Sequence, residues 1–155
     1  MQKERYPYKA NKTFTSFEFQ SKGPNGTIKK IVDYVEIGKW KDDIPVYNLA
    51  FGDLDESNQI INDLSISNNF DRDKILATVA ITVKDVIDYY GEIAIHAEGS
   101  TASRTRLYQM GINANHEEIK EYFDIYGLKN FNWREFEPGT NYEAFMVTKK
   151  NLYLN

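Results

Sequence analysis

Cysteine is missing from this chain, and histidine nearly so, with only His96 and His116. The first absence excludes a disulfide framework, a thiol nucleophile and any Cys-ligated zinc, and it leaves the redox compartment open. The second, without HExxH-like spacing, removes the usual zinc ligands, so no metal site is expected. Proline occurs four times and no Pro- or Ser-rich linker interrupts the chain. Residues 1–155 are therefore expected to form a single domain, which at this length buries roughly two-thirds of its unfolded surface and needs no staple. No segment approaches the roughly 20 apolar residues that span a bilayer, and the N-terminal MQKERYPYKANK is charged with no apolar h-region. The expectation is a soluble, cytoplasmic protein with no membrane partner. Positive charge is also in short supply: 19 Lys and Arg against 23 Asp and Glu give a net charge of −4. That balance argues against general DNA binding, but not against a small phosphate-bearing ligand met by a local patch.

What the chain does have is strand material followed by one well-marked helix. TFTSFEF (13–19) and IKKIVDYVEIG (28–38) are aromatic and β-branched, and they flank SKGPNG, whose Gly-Pro and Asn-Gly steps signal a tight turn. IPVYNLAF (44–51) reads as a third strand, with Pro45 tolerable near its start, and NQIINDLSI (58–66) as a fourth. Four strands with short connections predict an antiparallel meander. In DRDKILATVAITVKDVIDYYG (71–91) the apolar residues recur at helical spacing, Asn69 or Asp71 can cap the start, and Gly91 can close the end. IAIHAE (93–98) reads as a short buried strand, and Ser100 or Thr101 as the cap of a helix running to about Met110. NHEEIKEYFDIYG (115–127) reads as a further helical segment, opened by a capping box of Asn115 and Glu118. FNWREFE (131–137), the turn PGTN and YEAFMVTKK (142–150) predict a closing hairpin. The succession predicts an α+β fold on a mostly antiparallel mixed sheet: a four-strand meander, long helix, strand, helix, helical segment and C-terminal hairpin.

Within SRTRLYQMGI (103–112), Arg104, Leu107, Tyr108, Gly111 and Ile112 stand in an arrangement similar to the A-x-x-L-Y-x-x-x-G-F of the GNAT-type N-acetyltransferases. The element order from about residue 44 to 150 resembles the core of that family. The resemblance implies a GNAT-like fold, acetyl-CoA as cofactor and Tyr108 as the acid that protonates the departing thiolate of coenzyme A; His96, at the mouth of the GST turn, or Glu98 at the same strand end is the candidate base. A phenol with pKa near 10 can give up such a proton, and assistance of this kind contributes about 10²–10⁴-fold in rate. The family grips the coenzyme pyrophosphate with a glycine-rich loop at the start of the long helix. Here the loop is SISNNFDRDK, without glycine, and Asn68, Asn69 and Arg72 stand in its place. YNLAFGD, SNN and GSTxxRTRLY are in addition similar to an uncharacterised bacterial family, which implies no activity.

Two polar clusters remain that periodicity does not consume, SNNFDRD before the long helix and GSTASR before the next. Adjacent strands would carry both to one end of the sheet, where helix N-termini can cradle an anion. The candidate ligand-binding residues are therefore Asn68, Asn69, Arg72, Gly99, Ser100, Thr101 and Arg104. Arg104 shares a helix face with Tyr108, four residues on, and is preferred over Arg106 as the inward group. The ordinary alternatives are a surface ion pair for either arginine and a hydrogen-bonded structural imidazole for His96. Asp53, Asp55 and Ser57 faintly resemble a calcium loop, but glycine is missing at its sixth place and Leu64 stands at its twelfth. The preferred function is a non-catalytic or regulatory module holding a nucleotide, coenzyme A, an RNA end or a protein partner's carboxylate. The alternatives are an acyl-CoA-dependent N-acyltransferase and a toxin or phage-defence effector acting on RNA or tRNA.

Overall fold

In the computed structural model, which describes residues 4–55, 60–62 and 69–152, the chain opens with a short edge strand, β1 (Tyr8–Ala10), laid antiparallel on β2 (Ser16–Gly23). Gly23 and Gly26 then face each other across a two-residue Pro24–Asn25 turn, as the Gly-Pro and Asn-Gly steps predict, and β3 (Gly26–Trp40) returns beside β2. A bulge between Glu36 and Gly38 lets β3 continue to Trp40. There a three-residue turn, Lys41 to Asp43, with every φ positive, reverses the chain into β4 (Ile44–Asp55). β5 (Ile60–Asn62) pairs antiparallel with the far end of β4. The meander is thus present with an extra strand at its start; the rest of the predicted fourth strand lies outside the described residues.

The long helix α1 (Arg72–Tyr90) follows and leads to β6 (Ala94–Ala97), which pairs with β4 in parallel, Val46 to Leu49 against Ala94 to Ala97. This β4–α1–β6 crossover places α1 over one face of the sheet. α2 (Ala102–Tyr122) covers the same face, and β7 (Phe123–Lys129) follows it with no intervening loop. β8 (Asn132–Glu135) forms a hairpin with β7, and β9 (Ala144–Lys149) inserts between β6 and β7. The order is β1-β2-β3-β4-β6-β9-β7-β8, with β5 beside β4, in an α+β fold whose sheet is antiparallel except at β4–β6.

Two expectations need correction. The predicted helix to Met110 and the helical segment after it are one helix, and its final residues, 123–127, are strand. Gly111 does not end α2 because it faces α1, where a Cβ would stand 3.5 Å from Leu76, and Asn115 caps nothing, its amide donating back to the Gly111 carbonyl (2.8 Å). Phe123, Ile125 and Gly127 alternate onto the helix-covered face, which is strand periodicity in a stretch short enough to be taken for the end of a helix. The predicted closing hairpin is also rearranged, because residues 131–137 and 142–150 do not pair with each other: β8 pairs with β7, and β9 with β7 and β6.

The core lies between the sheet and the two helices. Phe17, Val32, Ile95 and Phe145 of the sheet meet Val79 and Val86 of α1 and Ile119 of α2. The opposite face carries only a small cluster of Val46, Ala94 and Met146, edged by Trp40, Tyr126 and Trp133. No helix among the described residues is long and apolar enough to cross a membrane.

Candidate functional site

Because β4 and β6 run parallel, α1 and α2 both begin at the carboxyl edge of that pair, the position where open sheets with helical crossovers take ligands. β6 stops at Ala97 while β4 runs on to Asp55, so residues 50–52 have no strand beside them on that side among the described residues. A cleft of about 1040 Å³ opens here, walled by residues 51–53 of β4, the first turn of α1, and Arg104 and Leu107 of α2.

Arg104 is placed by the turn that precedes it. Thr101 caps α2, its hydroxyl accepting from the Arg104 N–H (3.2 Å), and the Gly99 N–H donates to Thr105 Oγ1 (2.9 Å). A Cβ at Gly99 would overlap Arg104 and Thr105, so only glycine lets the strand end approach the helix this closely. Arg104, third in the helix, then turns back over β4. It is 6 % exposed, its guanidinium donates to the Phe51 carbonyl (2.9 Å) in the gap beside β4, and it lies 5.7 Å from the Phe51 ring centroid. The ion pairs of the described residues join Lys30 to Asp53, Lys84 to Asp88, Lys120 to Glu117 and His96 to Glu98, and none includes Arg104. Arg104 is thus a largely buried cation that lines the cleft and forms no ion pair among the described residues, and its guanidinium nitrogens not bonded to Phe51 are not sealed from solvent. Desolvating such a group costs several kcal/mol unless an anion compensates it.

The opposite wall includes residues whose side chains are committed to the fold. Asn69 is 3 % exposed and its carboxamide is fully occupied: Oδ1 accepts the Asn25 N–H (2.8 Å), and the NH₂ donates to Ser21 Oγ (3.1 Å) and the Gly26 carbonyl (2.9 Å). Asp71 stands at the cap of α1 but makes no capping hydrogen bond; its carboxylate accepts from the hydroxyls of Tyr6 and Ser21 instead. Burial first, and Asp71 second, push the Tyr6 phenol up. The first turn of α1 is consequently left with N–H groups that no side-chain cap takes up, at the border of the cleft. Lys30 and Asp53 neutralise one another at the cleft wall, so Asp53 serves an ion pair and not a calcium loop.

The structure thus brings Asn69, Arg72 and Arg104 to one cleft, Asn69 as its brace and Arg72 at its exposed rim. Asn68 lies outside the described residues. Gly99, Ser100 and Thr101 do not line the cleft: Gly99 and Thr101 build the start of α2, and Ser100 is exposed beside them. Tyr108 lies one turn beyond Arg104, on an apolar fissure of about 90 Å³ between α1, α2 and the sheet, which meets the cleft at Leu76. His96 and Glu98 are on the far face of the sheet. There His96 Nδ1 hydrogen-bonds Asn48 Oδ1 (2.8 Å), Nε2 stands 3.7 Å from Glu98, and the ring meets Trp133 edge-on. Burial lowers the His96 pKa, while the Glu98 carboxylate acts in the opposite direction. The three side chains proposed for catalysis are therefore not assembled, because strand alternation sends Ile95 and Ala97 toward the helices and His96 away from them. Phe51 and Phe70 also line the cleft, and the sequence does not single them out; Leu107, another lining residue, stands in the SRTRLYQMGI arrangement. Of the two phenylalanines only Phe70 carried any signal, as the lone aromatic in the polar run SNNFDRD.

The chain belongs to a family of unknown function (DUF6934), whose match spans residues 2–150. No curated protein and no solved structure matches it.

Proposed function

We propose that this DUF6934 member is a binding module for a small phosphate-bearing ligand, held in the cleft between the starts of α1 and α2. The observation that carries the reading is Arg104, a largely buried guanidinium that forms no ion pair among the described residues, set beside a helix N-terminus whose N–H groups no side chain caps. An anion there would offset the desolvation of the arginine and fill the orphan donors together. The separation of Tyr108 from His96 and Glu98 by the thickness of the sheet supports a non-catalytic role. The GNAT-like reading of the fold draws support from the parallel β4–β6 pair that parts before the cleft. One observation favours acyl-CoA-dependent transfer as a second reading: Tyr108 borders an apolar fissure that adjoins the cleft.

Thermal unfolding with and without pyrophosphate or acetyl-CoA tests both. A ligand at about 100 times its Kd adds roughly 2.7 kcal/mol, which for a chain of this size raises Tm by roughly 5–10 °C. Arg104→Gln should abolish the rise with pyrophosphate, and an undiminished rise in that variant would remove the proposal. A rise specific to acetyl-CoA, with product formed in the wild type and lost in Tyr108→Phe, would instead establish acyl transfer.

A further inference from the structure

Gly111 stands in the middle of α2, where glycine is, after proline, the residue least favourable to a helix. Nothing in the backbone asks for it. Its φ is not positive, and a Cβ built there would meet Leu76 of α1 at 3.5 Å, an ordinary packing distance. Alanine would fit, and it would favour the helix. What the missing side chain leaves is space, for Gly111 lines the apolar fissure of about 90 Å³ between α1, α2 and the sheet.

The fissure is a channel with one open side. Leu76, Ala80 and Val83 recur along α1 at i, i+4 and i+7, Tyr108 and Ile112 at i and i+4 along α2, and all five are half-buried, whereas Phe145 of the sheet closes the floor. Apart from Tyr108 every residue lining it is apolar. It joins the cleft at Leu76, one turn along α1 from Arg72, and Tyr108 stands one turn along α2 from Arg104. At about 90 Å³ it is smaller than the roughly 150 Å³ apolar cavity that admits benzene, so it fits a flexible aliphatic chain and not a ring.

The charges of the cleft show why a chain is needed. Its walls hold the cations Lys30, Arg72, Lys74 and Arg104 and, in equal number, the carboxylates Glu4, Asp53, Asp71 and Asp73. Lys30 pairs with Asp53, Lys74 lies over the Tyr6 ring, Asp71 accepts from Tyr6 and Ser21, and Arg104 forms no ion pair among the described residues. Arg104 can orient an anion, but walls whose charges balance draw a bare phosphate only weakly. Burial of apolar surface supplies what net charge does not. We infer that the ligand is an alkyl phosphate, its headgroup on Arg104 and its short aliphatic chain passing Leu76 into the fissure that Gly111 keeps open. This rests on the anion-binding reading above and adds the chemical class of the ligand.

Calorimetric titration of the full chain with inorganic phosphate, with methyl, butyl and hexyl phosphate, and with hexanol tests the inference. Affinity should rise along the series by up to about fourfold per methylene, so that hexyl phosphate binds roughly tenfold or more tightly than methyl phosphate. Arg104→Gln should weaken every phosphate and keep the ratio of hexyl to methyl, whereas Gly111→Leu should collapse that ratio. Gly111→Ala, the milder variant, should narrow the ratio and raise Tm by roughly 2–4 °C. Circular dichroism establishes that each variant is folded. Affinity independent of chain length would overturn the alkyl inference and leave the anion site standing. Hexanol bound as tightly as hexyl phosphate would overturn the phosphate as the anchor. A Tm lowered in Gly111→Ala would show that the glycine serves packing, and would overturn its part in keeping the fissure open. Absence of binding by the whole series would overturn both readings.

Discussion

Arg104 and His96 show how far a single residue can be judged by its type and position. Both were candidates in the sequence, one as a ligand contact and the other as a base, and both are partly or wholly buried beside a polar partner. Arg104 sits at an edge that strands and helices leave open and forms no ion pair among the described residues. His96 is matched by Asn48 and Glu98 and has the ordinary environment of a structural imidazole. Its titration is nonetheless a measurable consequence. Burial holds the folded-state pKa below the usual 6.5, so the neutral form is the one the fold favours. The associated stability is present above that usual value and is lost as pH falls through the folded-state pKa. Tm should therefore decline on acidification below about pH 6.5, and the decline should be shallower in His96→Gln. Identical acid limbs for the two proteins would show that His96 is not buried as described.

At the scale of elements, α1 and α2 were legible to different degrees for a physical reason. α1 carries an unbroken apolar stripe and ends at Gly91, whose φ is 81°, so periodicity and stop signal agree. In α2 a glycine and a capping pattern both argue locally for a break, and packing overrides them. Gly111 faces Leu76 of α1 at ordinary packing distance, and Asn115 returns its amide to the helix backbone. The start of α1 is the inverse case, since Asn69 looks like a helix cap or a ligand contact in sequence but braces the β2–β3 turn. Truncation to Ala would leave the Asn25 N–H and the Gly26 carbonyl without this partner. Asn69→Ala should then cost about 2–4 kcal/mol in urea unfolding. A loss under 0.5 kcal/mol would return Asn69 to the list of ligand contacts.

Across the whole molecule, stability should depend on the strand that arrives last. β9 lies between β6 and β7, and its Phe145 is fully buried beneath the helices. Phe145→Ala should cost about 3–5 kcal/mol and lower both the helical and the aromatic signals in one transition. Phe131→Ala, at a ring 96 % exposed, should change stability by less than about 0.5 kcal/mol. What the sequence by itself determined was the α+β class, the antiparallel meander, α1, and the fact that two polar loops precede two helices. These are local properties, written in the period of apolar residues and in turn chemistry. Only the tertiary structure decided that β9 pairs between strands distant in the chain, that His96 and Tyr108 face opposite sides of the sheet, and that Arg104 turns back over β4 to line the cleft. Those outcomes depend on register and on which side chains meet across non-local pairings, and a periodicity of two or 3.6 residues carries no information about either.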